Sequence, residues 1–270
     1  MPTIPIALTI AGSDCSAGAG LQADLKTFSN LNVHGLTACT CIVSETPLIV
    51  EEVYPIPPVI LQSQIELLLR SYPIGAIKTG MLYSKAHIVA ICELLAEVKT
   101  PLVIDPVMVA STGDPLLRED ALITITERLL PLASVITPNL PEASLLLNRP
   151  ILTLEDQEEA ASELSQKYQT ACYLKGGHFE NATEHRDYLV TSEENQSFTS
   201  PHLDLAQSHG TGCTLAAALT AGLAAGKTII EAAAQAHHFT HEALRQSTTW
   251  TSPDGSKTIS HLNQNFEKSN

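Results

Sequence analysis

IALTIAGSDCSAGAGLQADLKTFSNL, residues Ile6 to Leu31, joins three different patterns end to end. Ile6–Ala11 is a short apolar run, as in a strand buried on both faces. Gly12–Gly20 is a loop of small residues, and a helix follows through about Leu31. The alternation continues downstream. Leu36–Ser44 is rich in Thr, Val and Ile and reads as a second strand. Pro57-Pro58 opens a helix carrying Ile60, Ile65, Leu67, Leu68 and Leu69. Gly75–Thr79 is a short strand, and Ser84–Val98 a helix that Ser84 is placed to cap. Leu102–Ile104 is a strand, Glu119–Leu130 a helix and Ser134–Thr137 a strand. An acidic amphipathic helix spans Leu154–Tyr168, followed by a strand at Ala171–Leu174. Asp187–Val190 and Gln196–Ser200 form a hairpin, and two helices cover Thr211–Ala225 and Thr228–Leu244. Strands alternating with helices predict an α/β fold of three layers, α/β/α, around a central mostly parallel sheet. No repeat or linker divides the chain, so residues 1–270 read as a single domain. A polar peripheral tail begins near residue 246, with one short strand or turn near Ile259–Leu262.

The bulk properties narrow the function. The formal net charge is -14, from 29 acidic and 15 basic residues, which disfavours nucleic-acid and anionic-membrane surfaces. A small phosphorylated ligand remains compatible, since backbone N–H groups and one or two lysines suffice for it. The six cysteines show no CxxC pair and no zinc spacing. Cys39 and Cys41 share a strand face, and two or more of the six read as small buried hydrophobes. No secretory signal is visible, and the apolar run around Leu215–Ala225 is too short to span a bilayer. A reduced, cytoplasmic protein is expected, in which Asn181 and Asn195 are not glycosylated.

In such folds ligands bind beyond the carboxyl ends of the strands. The unusual residues fall there: Gly12-Ser13-Asp14, Ser44-Glu45, Gly80-Met81, Asp105, Asn139 and Lys175. The segment His209–Thr214, HGTGCT, opens the small-residue helix. Gly210 and Gly212 let backbone pass close to a ligand. Thr211 and Cys213 sit where a helix exposes unpaired N–H groups, an anion site whose field favours a thiolate. The alternative is an ordinary loop entering a buried helix. The first loop lacks the Gly-Lys-Ser/Thr of a Walker loop and a clean GxGxxG, which disfavours an NAD oxidoreductase. Gly18 and Gly20 serve close helix–sheet packing. Asp24 is either a solvated charge near a helix start or a ligand contact. Asn139 and Glu142 are either cap and helix-terminus charge or, for Glu142 with Asp105, carboxylates orienting water around Mg²⁺. Lys175 is either an exposed strand end or a counter-charge to phosphate.

The stretches AGSDCSAGAGLQADLKTF, KTGML, IDPVMVASTGDPLL, ITPNLPEA, LKGGH and HGTGCTLAAAL span Ala11 to about Ala225 in order. Together they resemble the hydroxymethylpyrimidine/phosphomethylpyrimidine kinase family of thiamine biosynthesis, within the ribokinase-like superfamily. The resemblance implies phosphorylation of 4-amino-5-hydroxymethyl-2-methylpyrimidine (HMP), then of HMP phosphate, from Mg-ATP, by a homodimer. It implies that Gly210, Thr211, Gly212 and Cys213 form the anion hole for the transferring phosphoryl group. Cys213 would accept the substrate's hydroxyl proton, where most of the superfamily carries Asp. Gly12, Asp24, Val43, Met81 and Val107 match positions around the pyrimidine. His209 reads as structural.

One position departs from the family pattern: Glu45 stands where Gln is usual. An amide both donates and accepts, whereas an ionised carboxylate only accepts. Either HMP remains the substrate, with a proton shared between Glu45 and the ring, or preference shifts to pyridoxal or pyridoxine. A third reading is a non-catalytic ligand sensor on the same fold. The intact phosphoryl-site residues argue against that.

Overall fold

The computed structural model describes residues 4–108, 119–176, 184–203 and 209–266. Gly177, Asn181 and the part of the IDPVMVASTGDPLL stretch beyond Met108 lie outside the described residues.

The elements in chain order are β1 (Ile6–Asp14), α1 (Gly20–Asn30), β2 (His34–Thr46), β3 (Ile49–Pro55), α2 (Pro58–Ser71), β4 (Ala76–Thr79) and α3 (Lys85–Leu95). There follow β5 (Leu102–Ile104), α4 (Glu119–Thr124), β6 (Val135–Ile136), α5 (Leu140–Leu147), α6 (Leu154–Tyr168) and β7 (Ala171–Leu174). The hairpin β8 (Glu184–Val190) and β9 (Asn195–Pro201) leads to α7 (Thr211–Ala224) and α8 (Ile229–Arg245), then β10 (Thr248–Thr251) and β11 (Thr258–His261).

Nine strands form one sheet in the order β3-β2-β1-β4-β5-β6-β7-β8-β9. The inner run from β2 to β7 is parallel, and β3, β8 and β9 join antiparallel at the edges. The period-two alternation of the strands splits the core into two. Leu8, Ile10, Ile77, Ile104, Ile136 and Leu174 face a layer from α2, α3, α5 and α6, with Leu61, Ile65, Ile88, Ile91, Leu146 and Leu164. Ala76, Val103, Val135 and Tyr173 face α7 and α8. Phe28 of α1 packs beside Ala217 and Ala221 of α7. This is the three-layer α/β arrangement expected. Cys41, Cys92 and Cys172 are buried as small apolar groups.

The small residues of α7 follow from its place. All residues from Thr214 to Leu223 are buried, so alanines let backbones approach on several sides. At Gly222 an added Cβ would lie 2.7 Å from the Cβ of Ala232 on α8.

Several expectations change. β1 runs on through Gly12-Ser13-Asp14, residues expected to be loop, because Ser13 and Asp14 still pair with Ile42 and Val43 past a bulge. β3 was not expected; it is an edge strand whose Ile49, Val50 and Tyr54 are exposed, so it has no buried face to pattern its sequence. The helix expected over Glu119–Leu130 holds to Thr124. It then widens into a π-helical turn at Ile125–Leu129 and tightens into a 3-10 turn at Leu130–Leu132. Pro131 in that last turn cannot donate a helical hydrogen bond. Ser84 occupies the cap position of α3, but its hydroxyl pairs with His87 Nδ1 at 2.7 Å instead of the backbone. The tail is less peripheral than its composition predicts. β10 and β11 form a hairpin, and Leu262 and Phe266 bury against the α8 side, with Phe266 5.0 Å from the Phe239 ring. No described helix is long and apolar enough to cross a membrane.

Candidate active site

The carboxyl ends of β5, β6 and β7 meet the start of α7. Gly210 caps α7 with φ of +87°, and an added Cβ would lie 1.9 Å from the Gly18 carbonyl oxygen. That contact, with the positive φ, restricts the position to glycine. Thr211, Gly212 and Cys213 are the first three residues of the helix, so their N–H groups point out of its N-terminal end. Gly212 faces the strand ends: an added Cβ would lie 3.1 Å from Lys175 Nζ and 3.5 Å from Asp105 Oδ2.

Lys175 donates to Asp105 Oδ1 at 2.8 Å, and the Thr137 hydroxyl donates to the same oxygen at 3.2 Å. Lys175 is thus not a bare exposed strand end. Burial works against its charge, but Asp105 and Glu142 raise it above its ordinary value, so the ammonium persists. Glu142 is buried in the first turn of α5 and completes a reciprocal cap: its carboxylate accepts the Asn139 N–H at 2.9 Å, and Asn139 Oδ1 accepts the Glu142 N–H at 2.8 Å. The cap explains both residues locally, yet leaves the carboxylate near Asp105. Burial pushes Glu142 up to about 7, Lys175 opposes this and Asp105 adds to it.

Cys213 is half-buried. The expectation that its helix terminus favours the thiolate is corrected: burial pushes the thiol up to about 11, despite the opposing charge of Lys78, with Asp24 and Asp105 adding to the rise. Desolvation of the anion outweighs the attraction of the Lys78 ammonium here.

At the substrate end, an added Cβ on Gly12 would lie 2.9 Å from Cys41 Sγ and 3.7 Å from Met81 Sδ. Thr40 ties this corner together by donating to the Met81 carbonyl at 2.7 Å. Val43 is buried, Val107 half-buried, and the Val107 N–H donates to the Asp105 carbonyl at 2.8 Å. Glu45 is half-buried near the end of β2. Burial and the Asp14 charge raise its carboxyl above the ordinary range, and His209 opposes them.

Asp24 is not a solvated charge. It is fully buried, accepts two contacts from Lys78 Nζ at 2.7 and 2.8 Å, and takes the Thr9 hydroxyl at 2.6 Å. A ligand reaches its carboxylate only if this cluster opens. The sequence assigns Lys78 no role; the available signal is a lysine in a short strand beside Ala76 and Ile77, and its burial there requires a partner.

Two further carboxylates matter: Asp14, which the sequence places at the strand ends without a role, and Asp187, which it does not mark. Asp14 accepts the N–H groups of Ser16, Gly18 and Ala19 at 2.7, 3.0 and 2.8 Å, with His209 Nε2 at 3.1 Å. Burial would raise it, but these bonds hold it at about 2. Asp followed by small residues is the sequence sign of such a side-chain-closed turn. His209 is therefore structural, joining the first loop to Gly210. Asp187 on β8 accepts the Gly176 N–H and the Tyr173 hydroxyl at 2.7 Å each, with His185 at 3.0 Å and His237 at 2.9 Å. It fixes the backbone immediately after Lys175. No sequence pattern marks it, because its partners come from β7, β8 and α8.

The phosphomethylpyrimidine kinase family model matches residues 14–257. The hydroxymethylpyrimidine/phosphomethylpyrimidine kinase of Escherichia coli K12 is 43% identical over 218 residues, covering 80% of this chain and 81% of that protein. The Bacillus subtilis pyridoxal kinase in its ADP complex superposes with a TM-score of 0.87 at 34% identity, covering 97% of this chain and 98% of that one. The phosphomethylpyrimidine kinase of Clostridium difficile 630 gives 0.79 at 35% identity, covering 89% and 99%.

Proposed function

The chain belongs to the phosphomethylpyrimidine kinase family, and from that membership we propose that it phosphorylates HMP and then HMP phosphate from Mg-ATP. The observation that carries this is the convergence at Gly212. Helix N–H groups, Lys175 and Asp105 meet within contact distance of one backbone position. Such a cluster stabilises charge on a transferring phosphoryl group, and phosphoryl transfer depends mainly on positioning and charge neutralisation.

In the first step the hydroxymethyl oxygen bonds to the γ-phosphorus of ATP, the bond to the β–γ bridging oxygen breaks, and ADP leaves. The N–H groups of Gly210 to Cys213 receive the γ-phosphoryl oxygens, and Lys175 offsets their charge. The minor thiolate form of Cys213 takes the hydroxyl proton at Sγ. Asp105 and Glu142 are hard oxygen donors of the kind Mg²⁺ prefers, and Mg²⁺ is commonly held by one or two carboxylates together with water and phosphate oxygens. When bound, Mg²⁺ supplies charge neutralisation at the phosphates. Gly12, Val43, Glu45, Met81 and Val107 surround the ring, and Asp24 joins them only if its cluster with Lys78 and Thr9 opens.

The nine-stranded sheet with its covering helices supports one kinase domain. The family resemblance supports a homodimer in the cytoplasm, and light scattering on the purified protein reads its mass. Pyridoxal kinase activity is the second reading, favoured by Glu45 and by the likeness to the B. subtilis pyridoxal kinase. Measuring kcat/KM of wild type and Glu45→Gln on HMP, HMP phosphate and pyridoxal separates the two. HMP turnover by wild type is expected to exceed pyridoxal turnover. A wild type that prefers pyridoxal, with Glu45→Gln raising HMP turnover sharply, establishes the second reading. ATP consumption no greater than that of Cys213→Ala on every alcohol would instead indicate a ligand sensor.

A further inference from the structure

We propose that Cys15 is a positioning residue for substrate choice: its thiol latches the backbone of Glu45 and fixes where that carboxyl group points. The inference rests on the kinase reading, since Glu45 discriminates between rings only if the chain phosphorylates a heteroaromatic alcohol.

The last registered pair between β1 and β2 is Asp14 with Val43. One residue on, the Cys15 N–H donates to the Val43 carbonyl at 3.3 Å. A side chain then continues the ladder. Cys15 Sγ accepts the Glu45 N–H at 3.3 Å and donates to the Glu45 carbonyl at 3.2 Å. Both backbone groups of one residue are satisfied by one thiol, as a neighbouring strand would satisfy them. On the other edge of β2, the register against β3 slips between Ser44 and Glu45. A bulge bends its strand and re-aims the side chain beside it. The thiol pins the residue on the far side of that irregularity.

The latch joins the first turn to the end of β2, the two segments that matter for the ring. Cys15 lies in the turn organised by Asp14, which also holds His209. The charges of Asp14 and His209 act on the Glu45 carboxyl, so the turn and this residue belong to one electrostatic neighbourhood. Releasing the Glu45 backbone moves the carboxyl relative to the substrate and leaves Lys175, Asp105 and α7 in place. The effect therefore falls on recognition of the alcohol and spares ATP. Cys15 is itself exposed, so replacing it opens no core.

The test uses Cys15→Ala and Cys15→Ser, each alone and combined with Glu45→Ala. Hydrogen exchange at the Glu45 amide of the free protein reads the latch without substrate. Cys15→Ala is expected to speed that exchange, and to raise KM for the alcohol about tenfold, the effect of one or two lost hydrogen bonds. KM for ATP stays within about twofold, and Cys15→Ser is intermediate because a hydroxyl restores both bonding roles on a shorter arm. In the Glu45→Ala background Cys15→Ala adds nothing, as expected for a residue that acts through Glu45. Unchanged exchange at Glu45, an unchanged alcohol KM, or effects that add independently each overturn the proposal. Wild type that phosphorylates neither HMP nor pyridoxal removes the kinase reading itself. Exchange then shows the latch as structural only, and the specificity role is lost with the reading.

Discussion

Cys213 occupies the third position of α7 beside Lys78 and Asp105, and its burial keeps the thiol protonated near neutral pH. The two proposed phosphorylations ask different things of it. A hydroxymethyl group must lose a proton as it attacks. A phosphate monoester has its second ionisation near pH 6 and attacks as an anion at neutral pH. Cys213→Ala is therefore expected to lower kcat on HMP by about a hundredfold, within the usual range for removing a general base. On HMP phosphate the loss stays below about tenfold, because only positioning is disturbed. The pH profiles should differ in the same sense. Thiolate content grows tenfold per pH unit below the raised thiol value, so wild-type kcat on HMP climbs with alkalinity while kcat on HMP phosphate stays nearly level. Equal losses on the two substrates, or parallel profiles, would remove Cys213 from the role of base.

At the level of elements, the site is a junction between the start of α7 and three strand ends. Its precision comes from glycines at two points of contact. Gly210 carries a positive φ against Gly18, and Gly212 presses toward Lys175 and Asp105. The contact at Gly212 involves the far end of a flexible side chain. Gly212→Ala is expected to keep the fold, with Tm changed by only a few degrees, while displacing the Lys175 ammonium. A fall in kcat of about tenfold corresponds to losing one partly screened charge contact. Thermal unfolding beside steady-state kinetics checks this: a large fall in Tm, or unchanged kcat, counts against the geometry. Asp187 acts at the same level by gathering donors from β7, β8 and α8 around Gly176.

Across the whole molecule, the Lys78–Asp24 pair ties β4 to α1, and Thr9 adds β1. Both side chains are 0% exposed, so neither charge is screened by water. Removing one partner leaves the other buried and unpaired, at a cost of about 3–5 kcal/mol. Lys78→Met is expected to lower stability by that amount in urea unfolding. The double change Lys78→Met with Asp24→Leu should recover most of it, because an apolar pair of similar volume needs no desolvation. If the double variant is as unstable as the single one, the pair is held by something other than mutual neutralisation.

Much of this was legible in the chain. Short apolar runs and helices of period 3.6 marked β7 and α6 to the residue, and predicted the parallel sheet, because burial patterns are local in sequence. The ordered motifs from Ala11 to Ala225 identified the kinase family and placed Gly210, Gly212, Cys213, Asp105, Glu142 and Lys175 at one end of the sheet. The edge strand β3 left no pattern because neither of its faces is deeply buried. The tail hid Leu262 and Phe266 among polar residues, since two apolar side chains are enough to dock a segment whose average is hydrophilic. Charge states were beyond the sequence. The raised thiol of Cys213, the pairing of Asp24 with Lys78 and the hold of Cys15 on Glu45 depend on which groups burial brings together. Desolvation and hydrogen bonding act through space, between residues as far apart along the chain as Asp14 and His209, so the sequence determined the site's chemistry and only the tertiary structure decided its protonation and aim.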